Sequence, residues 1–425
     1  MSTSATEHHD IACPFCGLAC DDLRVGVTED GVEVKANGCV ISRPAFARAG
    51  TRAPAAPRVG GTLVLLADAI AHAARILNDA RLPLVAGLAT DVAGARSALA
   101  LADRIGAVTD HLGSAAKLRN LIVLQGSGWI STTLTEVRNR ADLLVLMGTD
   151  VVSRYPRFFE RVVWVAETLF ELDSAAREIV YVGDVKDTSA GIAPGGRKPS
   201  VIPCGNHRLG EVLGALRAIV AGRAISRDEV ADVPVATLTA LARRMTAAKY
   251  GVVAWVAGDL DFPHADLTVQ TLTDLIRDLN RTTRFSGLPL AGTDGDFTYS
   301  QVHTWQTGFP FRTSFATGHP VYDPYHYGAD RLLASGEADA LLWLSSLNPT
   351  RLPPATTVPT IVLGAPSMQL THEPDVFVPV AIPGVDHSGH FYRADKVVAV
   401  PLRKLRESSL PTAAAVLDGI RAALG

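Results

Sequence analysis

Four of the chain's five cysteines stand within its first 39 residues, as Cys13-x2-Cys16-x3-Cys20 followed by Cys39. Four thiolates can hold metal, and two chemistries compete for this set. A [4Fe–4S] cluster takes one thiolate per iron and draws backbone N–H donors from a tight loop. A structural zinc takes the same four sulfurs, usually from two CxxC-like knuckles. Here three cysteines share one loop and the fourth stands alone, which favours the cluster over zinc. A relic site that binds nothing is the third reading. A disulfide framework is disfavoured in a large cytosolic chain.

The other candidates carry less chemistry. Gly87, Gly148 and Gly258 follow apolar runs, where an α/β sheet binds ligands, but none sits in a G-x-G-x-x-G fingerprint, so each reads as a tight turn. His387 and His390 have an H-x-x-H spacing in an expected solvated loop, whereas His111, His207 and His264 stand alone as core or surface residues. Arg403, Lys404 and Arg406 read as a solvated basic face. Residues 292–328 concentrate Phe, Trp, Tyr and His without helical or strand period. A long irregular segment in a compact body is usually functional, and ligand cradle and subunit interface are both open for it.

These residues need elements to hold them. Two alternating runs, 23–27 and 32–35, flank Glu29-Asp30-Gly31, a hairpin signal that predicts a small β ribbon returning Cys39 to the CxxC loop. Residues 48–61 read as a Pro/Gly/Ala-rich connector. Beyond it, apolar runs at 82–89, 141–148, 162–166 and 179–183 alternate with helical patterns, which predicts a parallel α/β body. The plan then repeats: 240–260 follows 73–92, and 336–349 echoes 139–150. The expected fold class is α/β, a ribbon followed by two Rossmann-like parallel-sheet halves at roughly 62–205 and 235–385. The expected domains are 1–60, 61–234 and 235–425.

Composition excludes several classes. The 425 residues carry 40 basic and 43 acidic side chains, a net charge of −3, with 48% hydrophobic residues. That balance gives no footprint for nucleic acid or an anionic membrane. No apolar run reaches the roughly 18 residues of a membrane span. The polar first ten residues lack the pattern of a signal peptide, so a soluble cytoplasmic protein is expected.

The segments "CPFCGLACDDL", "TLTEVRNRADLLVLMGTD", "RDLNRTTRFSGLPLAG", "HTWQTGFPF", "GHPVYDP", "GEADALLWLSSLNP" and "IPGVDHSGHFYRADKV" together resemble the B subunit of formylmethanofuran dehydrogenase, in order and over nearly the whole chain. The resemblance implies a molybdopterin-oxidoreductase-like fold. It also implies a [4Fe–4S] cluster on Cys13, Cys16, Cys20 and Cys39, a tungsten or molybdenum bis-pterin, and interconversion of CO2 and formate. One departure stands out. The metal-ligating Cys or Sec of that family should precede "TLTEVRNRAD", with its Cys-His pair near Ala116 and Lys117, yet residues 109–133 contain no cysteine. Cys204 is too distant for a register shift. A soft sulfur ligand fixes and tunes such a metal, so its loss argues against a molybdopterin or tungstopterin and against redox catalysis here.

That pattern resembles the B subunit of the bacterial formyltransferase/hydrolase complex. The implied partners are the amidohydrolase-like A subunit, the transferase D subunit, the C subunit and a methanofuran-type carrier in one-carbon metabolism. The alternative is a working molybdenum or tungsten formylmethanofuran dehydrogenase chain, and a third reading is a stand-alone iron–sulfur electron-transfer protein. Trp129 and Ile130 are candidates to fill a vacated pterin cavity.

Overall fold

The computed structural model describes residues 6–29, 31–50 and 56–425. The chain divides into two units, one formed by residues 1–114 and 292–425, the other by residues 115–291.

The first unit opens with a three-stranded antiparallel ribbon, Thr6–Ile11, Leu23–Val27 and Val32–Ala36. Val25 pairs with Val34 and Val27 with Val32, so one apolar face is buried as the alternation predicts. Asp30 of the expected turn lies outside the described residues. Helix Ser42–Gly50 follows. Within the expected connector, residues 51–55 are likewise outside the described residues. Its first residues, 48–50, end that helix, and Arg58–Val59 near its close pairs with Thr62–Leu63 at the edge of the unit's main sheet.

The core of that sheet is parallel, in the order Val108–Thr109, Pro83–Ala89, Ala340–Ser345, Thr360–Gly364, Val376–Pro379. Helices Leu66–Asp79, Val92–Ile105 and Ala413–Ala423 bury their apolar faces in its core. Helix Val92–Ile105 starts where Asp91 accepts the Gly94 N–H at 3.0 Å and stops where Gly106 turns left-handed.

The second unit holds a five-stranded, wholly parallel sheet, Ser200–Ile202, Glu178–Val182, Leu143–Met147, Gly251–Val256, Phe285–Leu290. Helices Leu209–Val220, Val235–Ala247 and Ala265–Leu279 contribute Leu213, Leu241, Leu272 and their neighbours to its core. Among the described residues no helix is long and apolar enough to cross a membrane.

Parallel α/β architecture is as the sequence predicts, but the division into consecutive halves is not. Each pair of similar segments sends one strand to each sheet. Pro83–Ala89 pairs with Ala340–Ser345 in the first unit, and Leu143–Met147 pairs with Gly251–Val256 in the second. The second unit is thus inserted within the first, and the boundaries 61–234 and 235–425 do not mark the units. A helix-then-strand repeat reports local structure, whereas the sheet a parallel strand joins is set by its crossover.

Residues 162–166 also differ from the expected strand. They continue a π-helical turn, Phe159–Val163. The run is apolar because Val162 and Val163 are buried, which periodicity cannot distinguish from a strand. Arg177 satisfies the end of that turn, its guanidinium donating to the Val162 and Val163 carbonyls.

Candidate functional site

The cysteine loop joins the first two ribbon strands. Cys13, Cys16 and Cys20 are buried in it, and Cys39 is half-buried just before helix Ser42–Gly50. The loop closes through the Cys13 N–H, which donates to the Cys20 carbonyl at 2.8 Å. The Ala19 N–H donates to the Cys16 carbonyl at 3.1 Å, with Ala19 itself left-handed. Burial pushes the Cys13 thiol well up, and the neighbouring Cys16, Cys20 and Cys39 add to this, against a backbone donor at Phe15. Burial likewise pushes Cys16 up to about 11, opposed by backbone donors at Leu18 and Ala19 and assisted by Cys39 and Asp294. The Ser42 N–H donates to Cys39 Sγ at 3.3 Å.

Backbone donors at Phe15, Leu18, Ala19 and Ser42 therefore face three of the four sulfurs, which stabilises thiolates there. Among the described residues no three His, Cys, Asp or Glu side chains are grouped to hold a single metal ion. Four cysteine thiols, three of them facing backbone donors, are a donor set that a [4Fe–4S] cluster can use, as can a structural zinc.

Other parts of the first unit enclose this loop. Phe15 meets Phe46 edge to face at 5.0 Å. The Gly17 carbonyl accepts the Ala394 N–H at 2.7 Å.

The carboxyl ends of each sheet's central strand pair, where parallel sheets bind ligands, are spanned by the chain's own charges. In the second unit Thr149 Oγ1 donates to Asp259 Oδ2 at 2.7 Å and Arg154 Nε to Asp259 Oδ1 at 2.7 Å. Asn206 Nδ2 donates to the Gly148 carbonyl at 3.1 Å, while its Oδ1 accepts the Asp184 N–H at 2.9 Å. Gly148 has φ +66, and a Cβ there would stand 2.9 Å from both Leu209 and Leu260. Gly148→Ala is expected to cost about 2–4 kcal/mol, from left-handed strain and overpacking together, read as a lower midpoint in urea unfolding. Gly258 is not left-handed; it lies against the Arg154 guanidinium. Gly87, at φ +77, sits where the strand's pairing register shifts.

In the first unit Asp294 fills the equivalent role. Its Oδ2 accepts from Arg351 Nε at 2.7 Å and its Oδ1 from Asn348 Nδ2 at 2.9 Å. Next to it Gly295, at φ +82, lies so close to the Thr90 backbone that a Cβ would meet it at 2.7 Å.

Residues 292–328 are not wholly irregular. They contain helix Asp296–Thr307 and the short strands Thr313–Ser314 and Val321–Tyr322. The helix has no apolar stripe because its buried face carries Asp296, Thr298, Ser300 and His303 beside Phe297, Tyr299 and Val302. Two buried histidines anchor it. His303 Nδ1 faces the Phe309 carbonyl, so Nε2 accepts from Thr109 Oγ1 at 3.0 Å. His111 Nδ1 accepts the Gly113 N–H at 3.0 Å, so Nε2 donates to Ser300 Oγ at 3.0 Å. Ser300 Oγ in turn donates to the Asp296 carbonyl at 3.2 Å. This serine–histidine pair points its protons the wrong way for nucleophile activation and is sealed from solvent. His303 carried no periodic or spacing signal that sequence reasoning could have used.

The remaining candidates resolve individually. His207 and His264 are exposed. His390 lies on a strand, Gly389–Tyr392, rather than in a loop, and His387 is half-buried beside it. Ala116 and Lys117 fall on helix Ser114–Ser127. Trp129 packs edge to face on Trp255 at 5.8 Å, and Trp255 Nε1 donates to Asn120 Oδ1 at 2.9 Å. Trp129 thus fills core, whereas Ile130 is exposed and fills nothing. Burial pushes the half-buried Cys204 up to about 11. Arg406 is no part of a solvated face: its side chain pairs with the buried Asp386 at 2.7 Å. A groove of about 190 Å³, lined by Thr356, His372, Asp375 and neighbouring residues, lies at the amino ends of its strands, away from the ligand-binding end of a parallel sheet.

No protein-family model matches the chain. It is 29% identical over 410 residues to the B subunit of tungsten-containing formylmethanofuran dehydrogenase 2 of Methanocaldococcus jannaschii, covering 93% of each chain. Identity to the protein of the same name from Methanococcus maripaludis is 26% over 410 residues, again 93% of each. It is 29% identical over 374 residues to the B subunit of the formyltransferase/hydrolase complex Fhc of Methylorubrum extorquens, covering 83% of this chain and 93% of the relative. A chain of the crystal structure of the formyltransferase/hydrolase complex FhcABCD from the same organism, in complex with methylofuran, superposes with a TM-score of 0.74 at 28% identity. That match covers 87% of this chain and 98% of the other.

Proposed function

We propose that this chain, a homologue of the B subunits of formylmethanofuran dehydrogenase and of Fhc, serves as the B subunit of a formyltransferase/hydrolase complex. The complex works in tetrahydromethanopterin- and methanofuran-linked one-carbon metabolism, from formaldehyde to formate, in the cytoplasm. This chain contributes architecture rather than redox catalysis. The observation that carries the reading is the near-complete superposition on a chain of that complex. The lack of a cysteine in residues 109–133 removes the sulfur ligand that a molybdenum or tungsten site would need.

The fold is read in finer detail as molybdopterin-oxidoreductase-like. The pairs Arg154–Asp259 and Arg351–Asp294 stand where a ligand of a parallel sheet would lie, which supports a chain that holds no pterin. Its partners are the amidohydrolase-like A subunit, the transferase D subunit and the C subunit, with a methanofuran-type carrier on the assembly. Cys13, Cys16, Cys20 and Cys39 hold a [4Fe–4S] cluster, which when bound supplies a rigid cross-link with one-electron capacity. The chain's own part is to bury three of the thiols and aim backbone donors at the sulfurs.

The test is metal and pterin analysis of the native complex purified without oxygen. Iron at one cluster per chain, without molybdenum or tungsten, is the expected result. Stoichiometric molybdenum or tungsten with pterin overturns the reading in favour of a working dehydrogenase chain, which the identity to the tungsten-containing relatives would then explain.

A further inference from the structure

The turn at residues 292–296 lies against the cysteine loop of the same unit. A Cβ on Gly292 would stand 3.5 Å from Gly17 Cα, and Gly17 directly follows Cys16. Two residues on, Asp294 holds a left-handed backbone at φ 55, and Gly295 follows at φ 82. That backbone is uncommon in a residue other than glycine and persists only where the surrounding fold holds it. The Thr293 N–H closes the turn by donating to Asp296 Oδ1 at 3.0 Å. What the turn positions is a carboxylate whose side chain is only 9% exposed.

Hydrogen bonds mark this carboxylate as charged. Asn348 Oδ1 accepts from the Thr350 N–H at 3.0 Å and from Thr350 Oγ1 at 2.8 Å, which fixes the amide and leaves its Nδ2 to donate to Asp294 Oδ1. Asp294 Oδ2 accepts from Arg351 Nε. Both oxygens thus face donors, the pattern of an ionised carboxylate. The cations near the turn are more open to water. Arg351 has 48% of its side chain exposed, and Lys396, with its Nζ 5.6 Å from the Phe297 ring centroid, is half-buried. Asp21 and Asp22, next to Cys20, are exposed and half-buried respectively. Water screens an exposed charge far more than a buried one, so Arg351 offsets only part of the Asp294 charge at the buried cysteine loop. The remainder is felt at Cys16, where Asp294 adds to burial in disfavouring a thiolate.

We propose that Asp294 biases the cluster on Cys13, Cys16, Cys20 and Cys39 toward its oxidised state, so that it serves this chain as a cross-link and not as an electron carrier. The proposal rests on the reading given under Proposed function. Reduction places one more negative charge among mainly buried ligands, and cluster potentials follow local charge, hydrogen bonds to the sulfurs and solvent exposure. The backbone donors at Phe15, Leu18, Ala19 and Ser42 favour the reduced state, and Asp294 opposes them. Formyl transfer and hydrolysis move no electrons, so a charge that resists reduction suits an architectural chain.

The test titrates the native complex, purified without oxygen, with a europium(II) chelate and follows the reduced cluster by electron paramagnetic resonance. Asp294→Asn keeps the side-chain shape and removes the charge. At the wild-type midpoint its reduced-to-oxidised ratio is expected to be about tenfold higher, an upward shift of about 59 mV for one electron. Arg351→Gln removes the offsetting cation and is expected to move the midpoint downward. Equal reduced fractions in Asp294→Asn and wild type at every potential overturn the proposal. So does a shift of both variants in the same direction, which is what loosened packing around the loop gives. If Asp294→Asn purifies without iron, Arg351→Gln decides: a lowered midpoint upholds the proposal and an unchanged one overturns it. A wild-type chain without iron overturns the cluster reading and this proposal with it, whereas one cluster per chain and no shift overturns the proposal alone.

Discussion

Arg406→Met is expected to destabilise the chain by about 3–5 kcal/mol, the range for breaking a buried ion pair from one side. Arg406 keeps only 13% of its side chain exposed and Asp386 none. Its Nε donates to Asp386 Oδ1 at 2.7 Å, and its two terminal nitrogens donate to the Ala49 and Gly50 carbonyls, each at 2.7 Å. Methionine fills the volume but leaves Asp386 charged and buried, and leaves two helix-terminal carbonyls without their donor. Asp386→Leu in the same background should restore part of the loss by removing the orphaned charge. Full restoration is not expected, because Asp386 Oδ2 also accepts the Ile382 N–H at 2.9 Å and the helix end stays open. The effect reaches the cysteine loop. Helix Ser42–Gly50 carries Phe46, which packs on Phe15, so a loosened helix end should lower hydrogen-exchange protection across residues 13–20. Urea unfolding of the two single variants and the double variant measures the coupling directly. A loss under about 1 kcal/mol for Arg406→Met would remove the clamp from the account.

Arg406 also shows where sequence reading stops. In "PLRKLRES" three basic residues stand close together, and a solvated face is the natural expectation. Arg403 and Lys404 meet it, both being exposed. Arg406 does not, because its partners are 20 and more than 350 residues away and only the folded chain brings them together. The cysteine motif was legible for the opposite reason: its four cysteines and the ribbon strands are all local in sequence. Strand patterns were legible in runs such as Pro83–Ala89 or Gly251–Val256, but not at 162–166, where an equally apolar run is a buried π-helical turn. Sheet membership was not, since nothing in a buried apolar strand states which neighbour it pairs with. Helix Asp296–Thr307 was hidden because a buried face made of hydroxyls, a carboxylate and an imidazole has no hydrophobic period to read.

That same polar face sets the acid sensitivity of the chain. His303 is fully buried, and burial lowers its pKa from 6.5 to about 4, with the Phe309 carbonyl opposing. The unfolded chain therefore takes up this proton first as pH falls. Stability contributed by neutral His303 is complete above pH 6.5 and is lost as pH drops from 6.5 toward 4, at up to about 1.4 kcal/mol per pH unit. Across the whole window the loss amounts to about 3 kcal/mol, a large fraction of the stability of most domains. Asp110, whose carboxyl is raised by burial against the Arg312 guanidinium, works with the opposite sign, regaining stability when it is protonated. The wild-type slope thus mixes the two groups. His303→Gln separates them, because a glutamine can accept from Thr109 and donate toward Phe309 without titrating. Urea unfolding at pH 7 and pH 4.5 should show the wild type losing more stability than His303→Gln, even if the variant starts lower at pH 7. Equal losses in the two proteins would mean that the buried imidazole takes up its proton without opening the fold, and would assign the acid sensitivity to other groups.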